Sequence, residues 1–133
     1  ITIKYTAPVT KGRVIWGGLV PYNEVWVTGA HRATSFEIDK DFAIGNQTLP
    51  AGKYAIFTIP GEETWTFILN KNWDQHLADD YTAADDILRL TVTPERLEEN
   101  QERLLYAIET VSEKEAELQI SWEKIRISIP LSF

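Results

Sequence analysis

Apolar and polar residues alternate with a period of two along much of this chain, the pattern of strands that bury one face. Ile1, Ile3 and Tyr5 point one way and Thr2, Lys4 and Thr6 the other. A first strand is expected there, ending at Ala7-Pro8 because proline lacks the amide proton that a ladder needs. Residues 9 to 24 break the rhythm. Gly12, Gly17, Gly18 and Pro21 stand among Val14, Ile15, Trp16, Leu19 and Tyr22, which predicts a tight, apolar, partly buried loop with a helical turn. Alternation returns with Trp26 and Thr28, then Phe36 and Ile38, then Phe42 and Ile44, and turns are expected at Gly45-Asn46 and Pro50-Ala51-Gly52. The run Tyr54 to Ile59 is apolar on both faces, as in a central strand covered from two sides. Trp65, Phe67 and Leu69 share one face of the next strand, with Thr64 and Thr66 opposite.

Residues 70 to 86 read as a polar loop with a short helical turn, carrying Trp73, His76, Tyr81 and aspartates at 79, 80, 85 and 86. Leu88, Leu90 and Val92 mark another strand. Thr93-Pro94-Glu95 has the form of an N-cap followed by proline at the first helical position, which predicts a single helical turn leading into a strand from Leu104 to Glu109. Leu118, Ile120 and Trp122, then Ile125, Ile127, Ile129, Leu131 and Phe133, form the last two runs, with Glu123-Lys124 between them as a hairpin turn or bulge. About nine strands with frequent turns and one or two short helical turns predict an all-β fold, an antiparallel β-sandwich or jelly-roll-like arrangement. A closed barrel is the second choice.

A length of 133 residues suits one domain, and 44% hydrophobic with 25% charged residues is ordinary globular composition. The net charge of −7 would repel a phosphate backbone, and no Arg/Lys run offsets it, so nucleic acid is excluded as a partner. No stretch approaches the roughly 20 consecutive apolar residues of a membrane-spanning helix. The absence of cysteine excludes disulfides and thiolate metal sites. Because the chain opens inside a strand-like pattern and contains no methionine, a leading segment is expected before it, whether signal peptide, lipoprotein anchor or expression tag.

The run Lys11-Gly12-Arg13-Val14-Ile15-Trp16-Gly17-Gly18-Leu19-Val20-Pro21-Tyr22, followed by Val25-Trp26 and Thr28-Gly29-Ala30, resembles a bacterial family known as a domain of unknown function, DUF2911. So do Leu49 to Tyr54, Phe57 to Gly61, Asp86 with Leu88-Arg89, and Trp122-Glu123-Lys124 with Arg126, so the likeness spans nearly the whole chain. Two places depart from the family pattern: Val27 stands where an arginine is usual, and His31-Arg32 where Asn-Glu is usual. The resemblance implies an exported protein, secreted or held in the periplasm or cell envelope. It carries no activity with it.

The segment with most chemistry is Arg13 to Thr34, which gathers Arg13, Trp16, Tyr22, Trp26, His31 and Arg32. Flat aromatic faces stack on sugar rings and an arginine fork holds a carboxylate or a hydroxyl pair, so these six are the candidate ligand-binding residues, for a glycan or small polar ligand or a partner protein. The competing account makes Trp16 and Trp26 packing residues and has Arg13 bond backbone carbonyls of an irregular loop. No catalytic residue, metal site or cofactor motif is legible. Two histidines without HExxH spacing do not make a zinc site, the four aspartates lack the ordered calcium-loop pattern, and no nucleophile elbow or phosphate loop occurs. Two alternatives to a non-catalytic binding module stay open. One is a hydrolase or isomerase using His31, His76 and the aspartates of residues 79 to 86, and the other a structural module that pairs through an edge strand.

Overall fold

The computed structural model describes residues 1–75 and 80–133. Nine strands account for most of them: β1 (Thr2–Lys4), β2 (Thr34–Ile38), β3 (Phe42–Ile44), β4 (Gln47–Leu49), β5 (Gly52–Ile59), β6 (Trp65–Asn70), β7 (Asp86–Val92), β8 (Glu95–Thr110) and β9 (Glu115–Ser132). A 3-10 turn covers Ala83–Asp85. The strands form two antiparallel sheets, one ordered β1-β2-β5-β6-β7 and the other β4-β3-β9-β8, packed in a sandwich-like arrangement. Among the described residues no helix is long and apolar enough to cross a membrane.

Alternation decides which side chains meet between the sheets. Phe36, Ile38, Tyr54, Ile56, Trp65, Phe67 and Leu69 from the five-stranded sheet join Phe42, Ile44, Leu118, Ile120, Trp122, Ile127 and Ile129 from the other in one buried cluster. The second apolar face of β5 has its own cover. Ala55, Phe57 and Ile68 on the outer side of the sheet pack with Val27 and Ala33, and Val25, Ile59 and Tyr81 close over them. The double-sided apolar run from Tyr54 to Ile59 therefore reflects a central strand with sheet on one side and loop on the other.

Three local expectations change. Trp26 and Thr28 do not lie in a strand: a single bridge pairs Trp26 with Thr58, and the chain then loops out before β2 begins at Thr34. The short strand β4, which the alternation did not predict, pairs with β3 across the Gly45-Asn46 turn. No helical turn follows Pro94. Glu95 and Arg96 instead pair with Arg126 and Ile125, because a helix offering only Leu97 would have no face to bury, whereas strand pairing satisfies the backbone. Glu123-Lys124 is, as expected, the turn between the last two runs, inside the continuous span of β9: Glu123 takes the left-handed region at φ 57°, and Arg126 Nε donates to Ser121 Oγ at 2.9 Å across it. An 18-residue strand would extend about 60 Å if straight. Here the amide of Phe133 donates to the carbonyl of Lys114 at 2.9 Å, so the chain doubles back at Glu123-Lys124 and the two ends of β9 lie side by side.

Candidate functional site

The loop that follows β1 is built to carry one tryptophan inward. Leu19 N–H donates to the Val14 carbonyl (3.0 Å), Val20 N–H to that of Ile15 (2.9 Å) and Gly17 N–H to that of Val20 (2.9 Å). A Cβ on Gly18 would stand 2.4 Å from the Val14 carbonyl oxygen, so only glycine fits this tight return. Ile15 and Val20 are buried by it, and Trp16 reaches the corner formed by β9. There it meets Trp65, Trp26 and Trp122 edge-on, with ring centroids 4.9, 5.6 and 5.9 Å away, while Trp26 and Trp122 stack at 5.8 Å. Trp16 Nε1 donates to Glu123 Oε1 at 3.1 Å, tying the loop to the left-handed residue of the β9 turn.

Arg13 and Tyr22 stay with this loop. Arg13 is exposed, but its Nε and Nη2 donate to the carbonyls of Thr10 and Val9. Tyr22 lies against Gly17, where an added Cβ would fall 2.9 Å from its ring. Thus Arg13, Trp16, Tyr22 and Trp26 hold a loop against an aromatic corner, and none of the four lines either cleft described below.

His31 and Arg32 go elsewhere. Between Trp26 and β2 the chain makes an excursion that starts at Thr28, a fully buried β-branched residue at φ 57°, a conformation such residues rarely adopt. The Thr28 carbonyl accepts from Thr34 Oγ1 (3.0 Å) and from the buried Tyr106 hydroxyl (2.6 Å), and Thr28 and Thr58 share a hydroxyl hydrogen bond of 3.0 Å. Burial raises the Tyr106 pKa above the ordinary tyrosine value, so the hydroxyl remains a donor at any physiological pH. This buried network fixes the base of the excursion, while its tip carries His31, at φ 67°, and Arg32 out to solvent.

Arg32 arrives at a cleft of about 350 Å³ lined by Lys4, Tyr5, Thr6, Arg32, Ala33, Ser35, Lys53 and Trp73. The sheet register explains most of this lining. Lys4 pairs with Ser35 across β1 and β2, and Lys53 pairs with Glu37 one row further. Ile3, Phe36 and Tyr54, their neighbours along each strand, face the core, so Lys4, Ser35 and Lys53 face outward. Trp73 forms the far wall. The Lys53 ammonium sits 3.8 Å from the centroid of its indole, a cation–π contact, and Arg32 forms an exposed ion pair with Asp74. Among the described residues Lys4 and Lys53 make no ion pair with a carboxylate, and no carboxylate lines the cleft.

A buried polar network holds the wall in place. Asn70, at 0% exposure the last residue of β6, accepts on Oδ1 from the Asn72 amide (3.0 Å) and from Gln75 Nε2 (2.9 Å). Gln75, 2% exposed, in turn accepts on its backbone carbonyl from the Ala33 amide at 3.0 Å, which joins the Trp73 loop to the Arg32 loop. From its other end Asn70 donates to Asp86 Oδ1 (2.9 Å) and to the Thr82 carbonyl (3.1 Å). Asp86 Oδ2 accepts from the Tyr81 hydroxyl and from Arg89 Nε (2.9 Å), and Arg89 Nη2 also bonds Tyr81. Burial, followed by the bond to Asp86, lifts the Tyr81 pKa, while the bond to Asp86 raises that of Arg89.

Of the catalytic alternative, His31 lies exposed at its loop tip. His76 and Asp79 lie outside the described residues. Asp86 is committed to the network above and Asp85 pairs with Lys71 at 3.4 Å. Among the described residues no three His, Cys, Asp or Glu side chains are grouped so as to hold a metal ion. A second cleft, about 400 Å³, lies where the ends of β9 meet and is lined by Gly45, Val111, Glu115, Ala116, Glu117, Pro130, Leu131 and Ser132. It carries two glutamates and no cation.

Of the six residues picked out from the sequence, only Arg32 lines the cationic cleft. Lys4, Lys53 and Trp73 were missed because they are far apart in the chain and come together only through strand pairing. The one legible signal was Trp73, a large aromatic in an otherwise polar loop. No curated protein and no solved structure matches the chain. The model of the family described as protein of unknown function DUF2911 matches residues 1–131, and with the likeness running from the first strand to the end of the last, the chain belongs to that family.

Proposed function

We propose that this chain is a non-catalytic binding module of the bacterial cell envelope or exterior that takes up a small anionic polar ligand, such as an acidic glycan unit, in the Lys4–Arg32–Lys53–Trp73 cleft. One observation carries the reading. Three cationic side chains and no carboxylate line a cleft on a chain whose net charge is −7. A local reversal of sign against the overall field concentrates anions where the rest of the surface repels them. The volume is that of a small-molecule site, Tyr5 and Trp73 offer flat apolar faces, and Ser35 and Thr6 add hydroxyls able to bond a polyol. The envelope location rests on the family resemblance.

Calorimetric titration of the protein with D-galacturonate and with its neutral counterpart D-galactose, at low and at physiological salt, tests this. The acid is expected to bind more tightly than the neutral sugar, with an affinity that falls as salt rises, since exposed charges are screened. Lys4→Glu/Lys53→Glu is expected to weaken binding by about 100-fold, because it removes two charge-assisted hydrogen bonds to the ligand, each worth about tenfold. Arg13→Ala should leave the affinity unchanged. Equal affinity for the two sugars, or loss of binding in Arg13→Ala but not in the double variant, would overturn the proposal.

A further inference from the structure

We infer that Asp74 is an internal competitor for the cleft, occupying Arg32 with a carboxylate of the kind that the ligand itself must present. The inference rests on the reading of the cleft as an anion site and adds the group it recognises and the residue that tunes it. Of the three cations, Arg32 alone is already paired, and its partner comes from the loop that supplies Trp73. Asp74 stands outside the lining, its side chain 61% exposed against 66% for Arg32, so the pair sits at the rim where either partner can swing into solvent. An exposed pair of this sort contributes little, and a carboxylate arriving in the cleft replaces Asp74 on the guanidinium without leaving a charge unpaired. Arg32 makes with its own chain the contact it would make with a ligand: a planar fork suited to two carboxylate oxygens.

Two further observations set the roles of the neighbouring groups. Lys53 is held against the Trp73 indole, turned from its cross-strand neighbour Glu37, and Lys4 faces outward from the edge strand β1, so neither cation is ion-paired to a carboxylate among the described residues. The loop from Lys71 to Gln75 is fixed from beneath by Asn70 and Gln75, so Asp74 can release Arg32 by a side-chain rotation while Trp73 keeps its place. The ligand class follows as a carboxylated sugar or similar hydroxy acid, whose carboxylate exchanges with that of Asp74 and whose ring or hydroxyls meet Trp73, Tyr5 and Ser35.

The test compares wild type, Asp74→Asn and Asp74→Ala in titrations with D-galacturonate and D-galactose. Removing the competitor is expected to tighten galacturonate binding by about two- to fivefold, the worth of one exposed ion pair, and to leave galactose unaffected. Because Asp74 is exposed, both variants should melt at the wild-type temperature. Wild-type binding with unchanged or weaker affinity in both variants overturns the competitor role and leaves the anion site standing. An equal gain for galactose also overturns it, since the effect would then not be exchange of carboxylates. Binding by the variants alone supports it in its strongest form. No galacturonate binding by any of the three proteins overturns the anion site and the competitor together.

Discussion

Replacing Trp122 with alanine is expected to lower the free energy of unfolding by about 3–5 kcal/mol, the cost of emptying a buried aromatic site. Trp122 is 2% exposed and stacks on Trp26 with planes 17° apart, while Trp16 meets it edge-on. Its indole N–H donates to the Glu102 carbonyl at 3.0 Å, bridging β9 to β8 next to the Glu123-Lys124 turn. The variant thus opens a cavity at the corner where β9 turns back and removes one of the two donors to the Glu102 carbonyl, which keeps the Thr10 amide at 2.9 Å. With a typical total stability of about 5–15 kcal/mol, the loss would leave the fold marginal. Trp122→Phe should lose less, because it keeps an apolar ring while giving up the hydrogen bond and part of the stack. Urea unfolding followed by circular dichroism measures both, and a Trp122→Ala midpoint close to wild type would show that the corner does not hold the two halves of β9.

The second large effect belongs to Asp86. Asp86→Ala is expected to cost about 3 kcal/mol, since removing one member of a buried charged network leaves its partners without their acceptor. Its side chain is 7% exposed and accepts from Asn70, Tyr81 and Arg89. The loss does not end with stability. Asn70 links Asp86 to Asn72 and Gln75, so the loop carrying Trp73 would lose the anchor that sets the cleft wall. Galacturonate affinity should therefore fall in Asp86→Ala even under conditions where the variant remains folded, whereas Trp122→Ala, at the opposite face of the sheet, should retain it when folded. Asp86→Asn, which keeps an acceptor oxygen, should recover part of both losses. Thermal melts and titrations at a temperature well below the melting point separate the two effects.

How much of this was readable from the sequence depends on how local the physics was. The central strand announced itself because Tyr54 to Ile59 is apolar on both faces, and the structure covers both. The Gly45-Asn46 turn was legible because its residues carry their own backbone preference, and Gly45 indeed takes φ 60°. The segment after Pro94 misled because its N-cap signal is local, while the pairing of Glu95 with Arg126 is not. Trp16 and Trp26 drew attention as ligand platforms for the same reason. Neighbouring aromatics in sequence could not reveal that Trp65 and Trp122, from two different sheets, would converge on them. The cleft was the hardest to see. Lys4 and Lys53 come together only because β1 and β5 flank β2, and a sequence pattern holds no trace of that order.

The most direct test of the anion cleft is a crystal structure of the protein grown or soaked with galacturonate. The account predicts the sugar between Lys53 and Arg32, its carboxylate on the Arg32 guanidinium in place of Asp74, and Trp73 along one side. A sugar lodged instead against Arg13 and Trp26, or in the acidic cleft beside Glu115 and Glu117, would contradict it.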